Sequence, residues 1–312
     1  CKNKEEFDKL SRNQISKIIE KCADDYFESN MGGVIKRNAR LESNLKRIKE
    51  NIFKIISHLQ NELKQSEFRP INFEFNINEK GIANLTGDNG IEIVIRGVID
   101  RVDIYESNGE KYIRVIDYKT GKKIFSMSSL LYGINLQMLL YMFTITGSGG
   151  AYSDCNPAGV LYMPSGEIVC GRDRDESDNM EEYLNKHYKM NGVVLNDRAV
   201  LNAMEKDIQG IYIPAKLLKG DTGDGELLLN KRSSSCLTSS QFKKLRQHTE
   251  KIIIDVCNEL YSGNIDADPL VISGGSPCDY CDYWSVCGNV PCEKYREADK
   301  NAEEEMLKII SD

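Results

Sequence analysis

The chain has 312 residues, 40% of them hydrophobic, which is enough to form one large core or two modest ones. Its net charge of −7 argues against a protein that simply coats nucleic acid, but not against an enzyme that gathers carboxylates around a metal. There is no apolar run of about eighteen residues, so we expect no membrane span. The charged start is unlike a signal peptide, so we expect a cytoplasmic protein. Because the sequence opens on Cys1, without Met, we expect it to be a fragment of a longer protein.

The first 67 residues have the apolar spacing of helices. Ser11 is the predicted N-cap of the first helix, and Gln14 completes a capping box. Gly32-Gly33 separates this helix from a second one. Arg69-Pro70 ends the second helix, and the pattern then changes to strands.

Short β-branched and alternating runs predict a sheet in the middle of the chain. Strands are predicted at 72–77, 91–105, 111–118 and 158–163, and a helix at 128–144. Between the second and third strands lies Asn108-Gly109, a pair typical of two-residue hairpin turns.

The C-terminal half is predicted to form charged helices over 175–205 and 239–262, with a polar loop between them. We predict an α/β fold, a small mixed sheet with helices on both faces. Composition divides the chain into four segments: a helical part (1–68), the core (69–165), a helical and loop extension (166–265) and a cysteine-rich tail (266–312).

The two-residue turn fixes the register of the predicted hairpin. If Ser107 pairs with Glu110, counting back places Asp100 opposite Asp117, close enough for both carboxylates to share an ion. Lys119 lies on the same face as Asp117, because side chains alternate along a strand.

Two facing carboxylates repel each other, and both stay ionised only when a cation neutralises them. Oxygen ligands of this kind suit Mg²⁺ or Mn²⁺. The alternative is an ordinary salt bridge from Lys119 to Asp100 or Asp117, and the hairpin alone favours the two interpretations about equally. By the same alternation, Arg101 and Asp103 fall on the other face. We expect them to pair with each other or with a neighbouring helix.

Three motifs occur in order: Gly97-Val-Ile-Asp-Arg-Val-Asp103, Asp117-Tyr-Lys119 and Gln137-Met-Leu-Leu-Tyr141. They resemble the G-x-x-D-R-x-D, D-Y-K and Q-x-x-x-Y motifs of RecB-type PD-(D/E)xK nucleases. The resemblance is greatest to the C-terminal nuclease domain of the B subunit of AddAB-type ATP-dependent helicase–deoxyribonucleases. It covers most of the chain and is weakest over 170–260.

The resemblance implies a restriction-endonuclease-like fold and a Mg²⁺-dependent deoxyribonuclease with exonuclease activity. It further implies a role in double-strand-break end processing and recombinational repair, with single-stranded DNA and the helicase–nuclease A subunit as partners. Asp100 and Asp117 would be metal ligands, the backbone carbonyl of Tyr118 a further ligand, and Lys119 the catalytic lysine.

Gln137 and Tyr141 lie one helical turn apart and share a face. The resemblance implies that both contact DNA, although packing of the helix on the sheet explains Tyr141 equally well. The family also carries a G-x-x-x-H motif whose histidine reaches the metal. His58 lacks that motif and is expected to be structural, so the motif is expected upstream of Cys1 and the isolated chain could be inactive.

Two rival functions share these motifs. The first is a DNA-binding or scaffold module that keeps the nuclease fold without turnover, which the absent histidine and the acidic charge favour. The second is a CRISPR-associated exonuclease. It is the weaker candidate, because such chains are shorter and lack the long 170–260 segment.

The chain has ten cysteines and no secretory signal, which favours reduced or metal-bound thiols. Cys278, Cys281 and Cys287 form C-x2-C-x5-C, a spacing typical of a metal site. Zinc with Cys292 as fourth ligand and an iron–sulfur cluster both fit. The resemblance implies a structural [4Fe–4S] cluster whose fourth cysteine lies far upstream, although Cys1 or Cys292 could substitute.

Overall fold

The computed structural model describes residues 4–30, 39–77, 85–87, 90–121, 124–167, 180–217, 235–272, 275–287 and 295–311. The predicted separator Gly32-Gly33 and most of the predicted loop between the charged helices lie outside these residues. None of the described helices is long and apolar enough to cross a membrane.

The chain begins with three helices: α1 (Lys4–Asp8), α2 (Arg12–Asn30) and α3 (Ala39–Gln65). The predicted capping box is confirmed, because the Ser11 amide donates to Gln14 Oε1 over 2.9 Å and the Gln14 amide donates to Ser11 Oγ over 3.4 Å. The short α1 was not predicted. Gln60 Nε2 fastens its end to α3 by donating to the carbonyls of Phe7 and Leu10, over 2.8 and 3.0 Å.

The strands are β1 (Arg69–Asn76), β2 (Leu85–Thr86), β3 (Glu92–Ile93), β4 (Val98–Ser107), β5 (Glu110–Lys119), β6 (Asn156–Pro164), β7 (Asn191–Leu195), β8 (Cys236–Leu237), β9 (Leu270–Val271) and β10 (Arg296–Glu297). Six of them form one mixed sheet in the order β1-β4-β5-β6-β7-β8. The β5–β6 and β7–β8 pairs are parallel and the other three are antiparallel. The predicted α/β class, a mixed sheet flanked by helices, is confirmed.

The remaining helices are α4 (Met127–Leu131), α5 (Gln137–Thr146), α6 (Met180–Tyr188), α7 (Arg198–Met204), α8 (Ser239–Tyr261) and α9 (Ala302–Ser311). The single helix predicted over 128–144 is wrong, because two helices are separated by Gly133 and Asn135, at φ 77° and 65°. Left-handed backbone at these two residues ends the first helix and turns the chain into the second.

Two other predicted elements are interrupted. The helix predicted over 175–205 is wrong between α6 and α7, where Val193-Val194-Leu195 forms the buried strand β7; such runs favour strands when a neighbouring strand can cover them. The strand predicted from residue 91 begins as β3, which pairs with β2 in a separate small sheet. It resumes at Val98 as β4 in the main sheet.

Candidate active site

A tight hairpin positions the predicted acidic residues. Pairing of β4 with β5 runs without a shift from Ser107–Glu110 to Arg101–Ile116. The Asn108-Gly109 turn has both residues at positive φ, 52° and 80°, as a two-residue hairpin requires. The predicted turn and register are therefore confirmed up to the residue pair next to Asp100 and Asp117.

The end of this hairpin brings together Asp100, Asp117, Tyr118 and Lys119. The Tyr118 backbone N–H donates to Asp100 Oδ2 over 2.8 Å. Lys119 Nζ lies 2.5 Å from Asp117 Oδ2, so these two side chains share a face as predicted and form the salt bridge that the alternative interpretation named. Asp117 is buried, whereas Asp100 and Lys119 are half-buried and accessible from solvent.

Asp117 Oδ2 is buried and has no hydrogen-bond partner. Lys119 Nζ is close to it, but their relative orientation is not that of a hydrogen bond. Apart from the Lys119 ammonium, no donor among the described residues reaches this buried carboxylate oxygen, and a hard divalent cation would fit its chemistry. In the described part of the chain no three His, Cys, Asp or Glu side chains group to hold an ion. Two carboxylates still suffice for Mg²⁺, which is commonly bound by one or two carboxylates together with water and substrate phosphates.

Tyr162 forms part of the wall beside Asp117. It is the Cα partner of Asp117 in the parallel β5–β6 pairing and is 1% exposed. Burial, together with the charge of Asp117, raises the pKa of Tyr162, so this phenol stays protonated at neutral pH. Sequence reasoning missed this neighbour, because no local pattern indicates which residue a parallel strand places beside Asp117.

The opposite face of the hairpin carries a buried ion cluster formed by Glu62, Arg101, Asp103 and Arg114. Asp103 Oδ2 forms ion pairs with Arg101 Nη2 at 2.9 Å and with Arg114 Nη2 at 2.8 Å. Glu62, on α3, contacts Arg114 Nη2 at 2.6 Å and Arg101 Nη2 at 3.4 Å. These four side chains are at most 1% exposed. The predicted pairing of Arg101 with Asp103 and a neighbouring helix is confirmed.

Arg101 stays charged in this buried setting. Burial by itself would lower the pKa of Arg101, but Asp103 and the other acidic and phenolic neighbours raise it well above its usual value. The Arg101 Nη1 group also donates to the Tyr118 hydroxyl over 3.0 Å. The buried ion cluster is therefore joined directly to a residue of the acidic hairpin end.

The Q-x-x-x-Y segment packs against the first motif. Tyr141 is 8% exposed, and its hydroxyl accepts a hydrogen bond from Gln137 Nε2 over 3.1 Å. A Cβ atom on Gly97 would lie 2.0 Å from Tyr141 Oη. Glycine at this position is thus required by the approach of Tyr141. Gln137 is exposed and accessible to a ligand, while its contact with DNA and that of Tyr141 stay predictions.

His58 has the structural role that the sequence indicates. It is 6% exposed on α3, and its ring centroid lies 5.4 Å from that of Tyr188 and 5.1 Å from that of Tyr212. Burial lowers the pKa of His58, which favours the neutral ring.

A short 3-10 helix over Pro277–Tyr280 opens the cysteine-rich tail. Ser276 caps it, because the Ser276 amide donates to Asp279 Oδ2 over 3.3 Å and Ser276 Oγ accepts from the Cys278 amide over 3.2 Å. The Cys281 amide then donates to the Cys278 carbonyl over 3.3 Å.

The thiols of Cys278, Cys281 and Cys287 are free, and Cys281 is exposed. Within the described residues these thiols belong to no group of three potential metal ligands. Cys1 and Cys292 lie outside the described residues. The cluster therefore stays a prediction.

Comparison with known proteins connects this geometry to a family. The chain is 30% identical over 294 residues to the B subunit of the ATP-dependent helicase/deoxyribonuclease of Clostridioides difficile, covering 89% of this chain and 25% of that protein. The protein of the same name from Clostridium novyi is 31% identical over 98% of this chain and 26% of its own length. The chain thus spans about a quarter of the length of these relatives. Since residues 5–288 match the PD-(D/E)XK nuclease superfamily, the chain belongs to that superfamily.

Proposed function

We propose that this chain hydrolyses DNA phosphodiester bonds, with Mg²⁺ or Mn²⁺ held by Asp100 and Asp117. The observation that carries the proposal is the buried Asp117 carboxylate, which pairs with the Lys119 ammonium at 2.5 Å at the hairpin end where the Tyr118 N–H holds Asp100. The relatives are named as parts of a helicase/deoxyribonuclease, which supports the same chemistry.

Asp100 and Asp117 would be the side-chain ligands, and the Tyr118 carbonyl would be a further ligand. A divalent ion bound there would polarise the scissile phosphate and lower the pKa of a bound water. Asp100 is oriented in advance by the Tyr118 N–H, so little reorganisation is needed on binding. Lys119 carries a positive charge on the same face and would orient the attacking water or stabilise charge that develops on the phosphate.

In the longer protein we propose exonucleolytic degradation of single-stranded DNA during double-strand-break end processing and recombinational repair. The helicase–nuclease A subunit would be the partner, and Gln137 and Tyr141 would contact the strand. The division into segments 1–68, 69–165, 166–265 and 266–312 stays a proposal. In the structure the third segment contributes β7 and β8 to the main sheet.

The test is substitution in the longer helicase–nuclease protein. Asp117→Asn or Lys119→Ala should reduce Mg²⁺-dependent DNA degradation at least about 100-fold. The temperature of thermal unfolding should be little changed, because removing one of two repelling carboxylates does not destabilise the metal-free protein. Degradation is measured as release of acid-soluble nucleotides from labelled single-stranded DNA.

Asp154→Asn is the matched control, because Asp154 is an exposed carboxylate that pairs with Lys111 near the opposite end of β5. Its activity should equal that of the unaltered protein. Full activity of Asp117→Asn would remove this site from consideration. DNA binding without Mg²⁺-dependent degradation by the unaltered longer protein would favour the scaffold module, which the missing histidine motif supports.

We propose also that Cys278, Cys281 and Cys287 hold a structural [4Fe–4S] cluster in the longer protein. The support is the C-x2-C-x5-C spacing and the capped turn in which the Cys281 amide donates to the Cys278 carbonyl. Elemental analysis after anaerobic purification of the longer protein should find iron and sulfide. Stoichiometric zinc in this chain alone would instead favour a local site completed by Cys292.

A further inference from the structure

Tyr118 connects the two faces of the hairpin. Its phenol hydroxyl accepts a hydrogen bond from Arg101 of the buried ion cluster, and its backbone N–H donates to Asp100. Building on the proposed function, we propose that the Tyr118 side chain is a positioning residue for the divalent ion. The buried ion cluster fixes the Tyr118 phenol, and the phenol fixes the peptide whose N–H orients Asp100.

The anchor of this arrangement is rigid. Arg101 is 1% exposed and is held by Asp103 on its own strand and by Glu62 on α3. Moving its guanidinium would leave buried charges without partners, which is strongly unfavourable. The Tyr118 hydroxyl is therefore hydrogen-bonded to a guanidinium whose position is fixed.

The peptide between Asp117 and Tyr118 orients Asp100. Its N–H donates to Asp100 Oδ2 over 2.8 Å. The paired positions of β4 and β5 end at Arg101–Ile116, just before the acidic residues. Beyond that pair, the hydrogen bond from the Tyr118 N–H to the Asp100 carboxylate connects β5 to β4.

Hydrogen bonds that orient metal ligands from outside commonly change metal affinity by one or two orders of magnitude when they are lost. Tyr118→Phe removes only the hydroxyl and keeps the ring, so the sheet should remain packed. The phenylalanine ring and its peptide can then shift, and Asp100 loses its fixed orientation. We expect weaker ion binding caused by this loosening, with Asp100, Asp117 and Lys119 all still present.

The experiment is isothermal titration of the metal-free 312-residue chain with Mn²⁺. Tyr118→Phe should raise the Mn²⁺ Kd about 10-fold, and excess Mn²⁺ should restore full occupancy. Tyr112→Phe is the matched control: it lies on the same strand and loses a hydroxyl that bonds to Glu110 far from the acidic end. Its Kd should be unchanged.

The outcomes separate the two ideas. An unaltered chain that does not bind Mn²⁺ would overturn the proposed metal site and, with it, this inference. Binding by the unaltered chain with an equal Kd for Tyr118→Phe would overturn the positioning role alone. If Tyr118→Phe does not fold at the assay temperature, it is titrated with Mn²⁺ beside the unaltered chain at a lower temperature at which both are folded. Its Kd should still be the higher one, and an equal Kd would count against the inference.

Discussion

The two faces of the β4–β5 hairpin hold similar charged groups in opposite states. On one face the buried ion cluster sets two carboxylates, Glu62 and Asp103, against two guanidiniums, all at most 1% exposed. On the other face two carboxylates, Asp100 and Asp117, stand against the single ammonium of Lys119. The first set is neutral as a whole, and the second carries an excess negative charge.

This difference separates a structural role from a chemical one. A buried set whose charges cancel and interlock holds its elements in one arrangement but has nothing left to bind. A set with an excess negative charge has charge left over for a bound cation, as the proposed metal site requires. Because side chains alternate along a strand, adjacent residues of one hairpin can serve the structural role and the proposed chemical one.

Unbalancing the charges of the neutral face should have the largest effect on stability. Arg114→Met removes one guanidinium and leaves Glu62 and Asp103 buried with a single partner. We expect a loss of about 3–5 kcal/mol in the free energy of unfolding, measured by urea denaturation.

Lys111→Met is the control for that measurement. Lys111 lies on the same strand as Arg114, but its ion pair with Asp154 is exposed to solvent. Such pairs contribute little, so no measurable change in stability is expected. If Arg114→Met proved as stable as this control, the buried ion cluster would not contribute to the stability of the fold.

A smaller effect is expected from crowding the start of β4. Gly97→Ala places a methyl group against the Tyr141 hydroxyl and ring, so the ring or the helix α5 that carries it must shift. Overpacking of this kind should cost about 1–3 kcal/mol, measured by thermal unfolding. Tyr141→Leu should recover much of the loss when combined with Gly97→Ala, because it removes the ring that the methyl group meets.

Gly121→Ala is the matched control for this crowding, since nothing lies within 4 Å of a Cβ atom there. It should leave the stability unchanged. Independent, additive effects of Gly97→Ala and Tyr141→Leu would contradict the direct contact between the two motifs.

The sequence predicts the hairpin well because local rules govern it. An Asn-Gly pair demands a two-residue turn, the turn fixes the register, and alternation then sorts Arg101 and Asp103 away from Asp117. The Ser11 capping box is predictable for the same reason, since both of its partners lie within one helical turn.

The remaining features depend on contacts between distant parts of the chain. Glu62 and Arg114 are 52 residues apart, and their ion pair exists only because α3 packs on the sheet. Strand β7 lies in a stretch whose charge pattern indicates helix, and its pairing with β6 decides the outcome. The position of Tyr162 beside Asp117 follows from a parallel pairing that no short pattern encodes.

The smallest predicted effect concerns pH and tests the same helix that supplies Glu62. Burial lowers the pKa of His58 below its usual 6.5, so the unfolded chain binds more protons there than the folded chain. The free energy of unfolding should therefore be unaffected by His58 above pH 6.5 and should decrease as the pH falls through 6.5 towards the lowered pKa.

Urea denaturation at about pH 7.5 and about pH 5.5 measures this decrease. Carboxylates elsewhere contribute to it in both proteins, so His58→Gln isolates the histidine and should show the smaller decrease. Equal decreases in the two proteins would mean that His58 accepts its proton without disturbing the packing of α3 on the sheet.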